Sequence, residues 1–223
     1  MTESFDTKWN ELYSDGKQLN EHPFTDLVSF FHNAFQGKNS TLQILEVGCG
    51  AANNLEFLAK IGHNVYGIDA SENVINHAKK KFDEKNLSGN FTVGEFIDLP
   101  YEDNFFDLII NRAAICHTDI ISANVAMKEC HRVLNESGIF YSTFFTNLNT
   151  FKANKIDSGY YESFEEGFND IGALKFYNIF EAKILFEKNN FNITDLYLIE
   201  KKDMMNTPTK INSEWIIHSN KIK

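Results

Sequence analysis

No run in this sequence approaches the ~20 consecutive apolar residues needed to cross a bilayer, and its opening, MTESFDTKWNE, is polar and acidic with no apolar core. A membrane span and a secretory leader are therefore not expected, and a cytoplasmic protein is. Cysteine is scarce: Cys49, Cys116 and Cys130 form an odd set without a C-x-x-C pair, so neither a disulfide framework nor a thiolate zinc site is indicated. The histidines are scattered without H-E-x-x-H spacing, and no metal is read from them. Positive charge is short as well. Lys and Arg total 21 against 31 Asp and Glu, a formal charge of −10. That balance opposes a polyanionic partner, so nucleic acid is not expected. Arginine occurs only as Arg112 and Arg132. Internal repeats and low-complexity tracts are missing too. What is present is 223 residues with 43% hydrophobic content, enough for one well-filled core.

The chain is organised around Ile44 to Leu55, ILEVGCGAANNL. An apolar run ending in Glu46-Val47, then Gly48-Cys49-Gly50, then helix-compatible residues reads as a buried strand, a tight turn and a helix start. Glycines there accept positive φ and let a ligand approach the backbone, beside unpaired N–H groups of the helix N-terminus. A dinucleotide fingerprint wants a third glycine where this chain has Asn53, and Glu46 puts a carboxylate where a pyrophosphate would be repelled. A nicotinamide or flavin enzyme is thus disfavoured.

The acid two residues before the first glycine, in E-V-G-C-G, resembles motif I of the class I S-adenosylmethionine (SAM)-dependent methyltransferases. The resemblance implies that Glu46 faces the cationic amino-acid end of SAM, with Gly48, Cys49, Gly50 and Asn54 around it. Further along, NVYGIDAS reads as a second strand ending in Asp69, nineteen residues beyond Gly50. A carboxylate at that tip sits beside the first turn and can accept both ribose hydroxyls. Asp69 and Ala70 are accordingly expected in the cofactor site, with helix capping as the simpler role for Asp69. Asn90 to Gly94 reads as strand 3, and the family pattern implies that Glu95 accepts from the adenine amino group while Phe96 covers the ring.

IDLPYEDNFFDLIINRAAICHTD resembles a large subgroup of these methyltransferases. Its apolar run, Phe105 to Asn111, predicts strand 4, whose carboxyl end lies where open α/β sheets bind ligands. Asn111 is expected beside the cofactor, and Arg112 and His117 toward the methyl acceptor. His117 is the candidate base, because its unperturbed pKa lies near neutrality; a structural histidine at a helix start is the competing role. Arg112 is a candidate two-pronged anchor for an anionic group, against an ion pair with an acid such as Asp119 or Glu95.

Periodicity predicts helices over Phe5 to Tyr13 and Thr25 to Phe35 before the first strand. It predicts others over Asn53 to Lys60, Ser71 to Phe82, Ser122 to Leu134 and Asn178 to Glu187. In the Ser71 helix, Lys79-Lys80-Lys81 reads as the start of a solvated end. Val125, Cys130, Val133 and Leu134 are expected to face inward. Strand 5 is placed at Ile139 to Phe145, and two final strands at Phe191 to Ile199 and Glu214 to His218, joined by a polar loop around Met204 to Pro208. The resemblance implies a Rossmann-like α/β fold: a seven-stranded, mostly parallel sheet of order 3-2-1-4-5-7-6, last strand antiparallel, with helices on both faces. One domain is expected over 1–223. Residues 1–37 would form a helical lid presenting Trp9, Tyr13, Gln18 and Asn20. Residues 146–176, carrying Phe151, Tyr160, Tyr161, Phe164, Phe168 and Phe176, would cover the substrate, or else form a merely structural subdomain.

The function implied is methyl transfer from SAM to a small soluble acceptor, with O-methylation of a hydroxylated or sugar-derived anionic metabolite preferred. N-methylation of a small amine and a non-catalytic SAM-binding protein of the same fold are the alternatives.

Overall fold

The computed structural model describes residues 7–37, 40–152, 154–157, 159–162 and 172–222. Short helices α1 (Lys8–Ser14) and α2 (Thr25–Ala34) precede β1 (Gln43–Val47), α3 (Asn53–Lys60), β2 (Asn64–Asp69), α4 (Glu72–Glu84) and β3 (Asn90–Val93). There follow β4 (Phe106–Arg112), a 3-10 turn (Ala114–His117), α5 (Ile120–Val133) and β5 (Leu134–Phe145). Three short strands, β6 (Asn154–Asp157), β7 (Tyr160–Glu162) and β8 (Leu174–Lys175), come before α6 (Ile179–Lys188), β9 (Phe191–Asp203) and β10 (Thr207–Lys221). The main sheet has the order β3-β2-β1-β4-β5-β10-β9, with β10 antiparallel to both of its neighbours and the remaining pairs parallel. This is the order expected from the sequence, β9 and β10 standing for the sixth and seventh strands.

Side-chain alternation along the strands feeds two apolar layers. Leu45, Ile109, Phe140 and Phe144 pack with α5 and α6 on one face. Ile44, Leu108, Ile110 and Tyr141 pack with α2, α3 and α4 on the other. Among the described residues, no helix is long and apolar enough to cross a membrane.

Several boundaries differ from the sequence expectation. Helix α5 starts at Ile120 because the Asp119 carboxylate accepts from the Ile121 and Ser122 N–H groups, giving the first turn its cap. Its buried stripe is Ala123, Ala126, Met127, Cys130 and Val133; Val125 is on the exposed side, and Leu134 already belongs to β5. The last two strands are far longer than the apolar runs that flag them. Their outer parts form a polar hairpin held by ladder hydrogen bonds, such as the pairing of Lys201 with Asn212, and only the turn around Met204 remains of the expected loop. Lys81 is not solvated with its neighbours: it is 8% exposed and points under the β1–α3 turn.

The 146–176 segment forms the small β6-β7-β8 sheet. Its Phe151 and Phe176 pack with Phe145 of β5, Tyr161 meets Phe176 edge-on, and the Tyr160 hydroxyl donates to the Thr118 carbonyl at 2.8 Å. Phe5, Phe164 and Phe168 lie outside the described residues.

Candidate active site

The turn after β1 is the local peculiarity from which the site grows. Gly48 (φ 63°), Gly50 (φ 50°) and Ala52 (φ 55°) are all left-handed. At Gly48 a β-carbon would also collide with the Cβ of Ala114, which opens the 3-10 turn after β4, so the two turns approach too closely for any side chain at position 48. Asp69, at the tip of β2, ties this turn down: one carboxylate oxygen accepts the Gly50 N–H at 3.0 Å and the other the Ser71 N–H at 3.0 Å. Burial pushes the Asp69 carboxyl above the usual carboxylate range, opposed by those two N–H groups. Asp69 thus lines the cavity and braces the turn, while α4, which starts at Glu72 after Ser71, has no side-chain cap.

Glu46 is 2% exposed. Its Oε1 accepts from Asn54 Nδ2 at 2.6 Å, and Asn54 Oδ1 in turn accepts the Phe24 N–H at 3.1 Å, which moors the approach to α2 over the cofactor turn. Glu46 Oε2 is buried and has no hydrogen-bond partner among the described residues. Burial, the dominant influence, pushes this carboxyl up to about 8, against the Asn54 hydrogen bond and the nearby Arg112 and Lys81 charges.

These groups border one cavity of about 400 Å³ at the carboxyl ends of the parallel strands. Glu46, Gly48, Cys49, Gly50 and Asn54 line its base, and Asp69, Ala70, Glu95 and Phe96 one side. Trp9, Tyr13, Gln18 and Asn20 border it from the N-terminal segment, with the Tyr13 hydroxyl packed against Gly50. Burial raises the Tyr13 phenol well beyond its ordinary range, with Asp69 and Cys49 adding to the effect. His117, at the end of the 3-10 turn, faces the cavity and meets the Trp9 ring edge-on at 5.0 Å.

Asn111 is the expected site residue that does not border the cavity. It is fully buried, donating to Ser142 Oγ at 2.7 Å and accepting the Ile115 N–H at 3.0 Å. Strand alternation turns its side chain into the sheet, where it fixes β4, β5 and the 3-10 turn together. Arg112 does border the cavity, but its guanidinium is engaged. It meets the Glu214 carboxylate at 2.9 Å, donates to Thr143 Oγ1 at 3.0 Å and lies 4.0 Å from the Phe24 ring centre. The partner acid is Glu214 of β10, whereas Asp119 caps α5. Among the described residues of the 146–176 segment, none lines the cavity; their aromatic rings gain more by packing on Phe145 than by facing a polar cleft.

The wall opposite was not anticipated. Lys201, Asn212 and Glu214 of the β9–β10 hairpin line the cavity, with Phe24 and Phe145 beside them. The alternation Asn212-x-Glu214 was the available signal, a period of two in a stretch too polar to suggest a strand.

A mostly parallel seven-stranded sheet, with a glycine turn after β1 and acids at the tips of β1, β2 and β3, defines a Rossmann-like protein built to take a nucleoside-containing ligand with a cationic end. Residues 45–142 match a family model described as a methyltransferase domain. A Bacillus cereus protein named an uncharacterized methyltransferase is 24% identical over 191 residues, 84% of this chain and 88% of its own length. Among solved structures, a Burkholderia thailandensis 1,6-didemethyltoxoflavin-N1-methyltransferase with bound 1,6-didemethyltoxoflavin and S-adenosylhomocysteine superposes with a TM-score of 0.73 at 14% identity, covering 97% of this chain and 87% of that one. A SAM-dependent methyltransferase from Methanosarcina mazei does so with a TM-score of 0.70 at 20% identity, over 90% of this chain and all (100%) of that one. Residues 45–142 thus match a methyltransferase domain, set in a fold shared with SAM-dependent methyltransferases.

Proposed function

We propose that this cavity binds SAM and passes its methyl group to a small anionic, hydroxylated acceptor held against the β9–β10 hairpin. The observation that carries the reading is Glu46 Oε2, a buried carboxyl oxygen without a hydrogen-bond partner among the described residues, set beside a glycine turn and two further acids, Asp69 and Glu95. A buried polar atom of this kind calls for a donor from a ligand, and the amino group of SAM is one. This reading gives the ribose to Asp69 and the adenine to Glu95 and Phe96. When bound, SAM supplies a methyl group on a positively charged sulfur, already activated for displacement. The chain's own residues then have to align an acceptor and exclude water. Trp9, Tyr13 and the rest of the N-terminal segment close over the turn as a lid within one domain spanning 1–223.

His117 is the residue at the cavity wall suited to take a proton from an acceptor hydroxyl. His117→Asn is expected to lower turnover by ~10²-fold or more while leaving S-adenosylhomocysteine affinity within about twofold. A rate that stays the same across pH 5.5 to 8.5 in both proteins would remove the base assignment.

The acceptor's anionic group is assigned to Lys201 and the outer face of Arg112. Glu214 neutralises Arg112, whereas Lys201 makes no ion pair among the described residues. Lys201→Ala is expected to raise acceptor KM about tenfold with kcat nearly unchanged, since it removes binding common to ground and transition states. Arg112→Lys is expected to reduce kcat as well, by loosening the Glu214 pair and the Phe24 contact. A screen by mass for acceptors that gain one methyl group, run on hydroxy acids and their neutral amides, tests the class. Preference for the amides would reject it.

N-methylation of a small amine is the second reading. It is favoured by the Glu214 carboxylate at the cavity wall and by the N1-methyltransferase named above. We place the enzyme in the cytoplasm, as the sequence suggests.

A further inference from the structure

We propose that Lys81, from behind the cofactor turn, is a positioning residue that holds the strained Ala51–Ala52 peptide in the conformation the cofactor requires. The inference rests on the SAM reading above. Lys81 lies on α4 and does not line the cavity, yet the residue is only 8% exposed, and its ammonium donates to the Ala51 carbonyl and lies 3.4 Å from Glu56 Oε2. An exposed lysine run has no need of this. Burying an ammonium is costly unless it is paired and hydrogen-bonded, and here both conditions are met by groups belonging to the β1–α3 turn and its helix.

The geometry shows what is gained. Ala52 is a fully buried, non-glycine residue at φ 55°, a conformation that L side chains avoid by about 1 kcal/mol or more. It persists only if its surroundings fix the peptide plane that precedes it. Both ends of that plane are held: the Ala52 N–H donates to the Cys49 carbonyl at 2.9 Å, and the Ala51 carbonyl accepts from Lys81. Glu56 anchors the ammonium on the other side. Burial opposes ionisation of Glu56, but hydrogen bonds from Lys60 and Lys85, with the Lys81 charge, hold its carboxyl down at about 2. Its fixed negative charge keeps Lys81 in place. Ala51 itself lines the cavity, and α3 starts one residue after Ala52, so the held plane sets both the floor of the cofactor site and the direction of α3 toward it.

The test is calorimetry with S-adenosylhomocysteine on the full chain, alongside far-UV circular dichroism. Lys81→Met keeps the aliphatic stem and removes the ammonium; it is expected to weaken binding about tenfold or more, the size of one hydrogen bond to a charged group. Glycine adopts φ 55° without steric cost. Adding Ala52→Gly to Lys81→Met is therefore expected to restore affinity to within about threefold of the Ala52→Gly single variant. A generic loss of packing or of positive charge would not be repaired that way. Unchanged affinity in Lys81→Met, or a loss that Ala52→Gly leaves in full, overturns the proposal. Should Lys81→Met fail to fold, Glu56→Gln makes the same comparison by releasing the ammonium without removing it. A loss of about threefold or more, repaired by Ala52→Gly, is then expected, and unchanged affinity again overturns the idea. A wild-type chain that does not bind S-adenosylhomocysteine overturns the SAM reading and this inference together; normal wild-type binding with an indifferent Lys81 overturns this inference alone.

Discussion

Replacing Asp69 by alanine is expected to weaken S-adenosylhomocysteine binding by ~1.5 to 3 kcal/mol, roughly 10- to 150-fold in Kd. The ribose contact proposed for this carboxylate is one part of the effect. The other is the turn itself, because the same two oxygens accept the Gly50 and Ser71 N–H groups at 3.0 Å each. With alanine, both N–H groups lose their acceptor beside a buried cavity. The two contributions separate in Asp69→Asn: its amide oxygen retains one acceptor for the turn, so thermal stability should recover toward wild type while affinity stays low. Calorimetry that finds Asp69→Ala as tight as wild type would take Asp69 out of the cofactor site and leave it as a brace between the Gly50 and Ser71 N–H groups.

Glu46→Gln carries the second large effect, with opposite signs on stability and binding. The Glu46 carboxyl is pushed up from its ordinary 4.5 to about 8 by burial. Its folded pKa thus exceeds its unfolded one. Between about 4.5 and 8 the folded protein holds a proton that the unfolded chain does not, and stability falls as pH rises through that window. Glutamine cannot ionise, so Glu46→Gln should melt at least ~3 °C higher than wild type at pH 8 and nearly level with it at pH 5. Binding runs the other way. Capture of an ammonium needs the carboxylate, so between pH 6 and 8 the wild-type affinity for S-adenosylhomocysteine should rise by up to roughly tenfold per pH unit, with release of about one proton. Asp69, Cys49, Lys81 and Arg112 also lie within electrostatic reach of this group; the slope belongs to Glu46 if Glu46→Gln abolishes it. A slope unchanged in Glu46→Gln, or equal melting shifts at both pH values, would rule out this role for Glu46.

The cofactor half was legible because it is local. E-V-G-C-G and G-I-D-A-S each compress a strand end, a turn and a helix start into a few residues, and the spacing from Gly50 to Asp69 survives folding as a direct hydrogen bond. The opposite wall, which we assign to the acceptor, was not legible, for two physical reasons. It is a polar hairpin stabilised by main-chain pairing, which leaves no apolar alternation to detect. Its key pair, Arg112 with Glu214, joins residues 102 apart, and nothing in the neighbourhood of either one announces the other. Lys81 failed for a third reason: a run of three lysines looks uniform in sequence, but helical rotation turns one of them inward while Lys79 and Lys80 stay exposed. Asn111 was misplaced by one step of strand alternation.

The position of β10 inside the sheet has a consequence for how the molecule comes together. Among the described residues β10 follows every other strand, yet it lies between β5 and β9, and β9 pairs with no other strand of the sheet. During synthesis β9 therefore emerges first and must wait beside a sheet it cannot join until β10 arrives to pair with both. Such long-range pairing is slow to form and leaves strand edges exposed in the interval. β1 to β4, with the glycine turn and Asp69, pair among themselves without it. A nascent chain that has not yet delivered Glu214 thus carries Arg112 with its partner still to come.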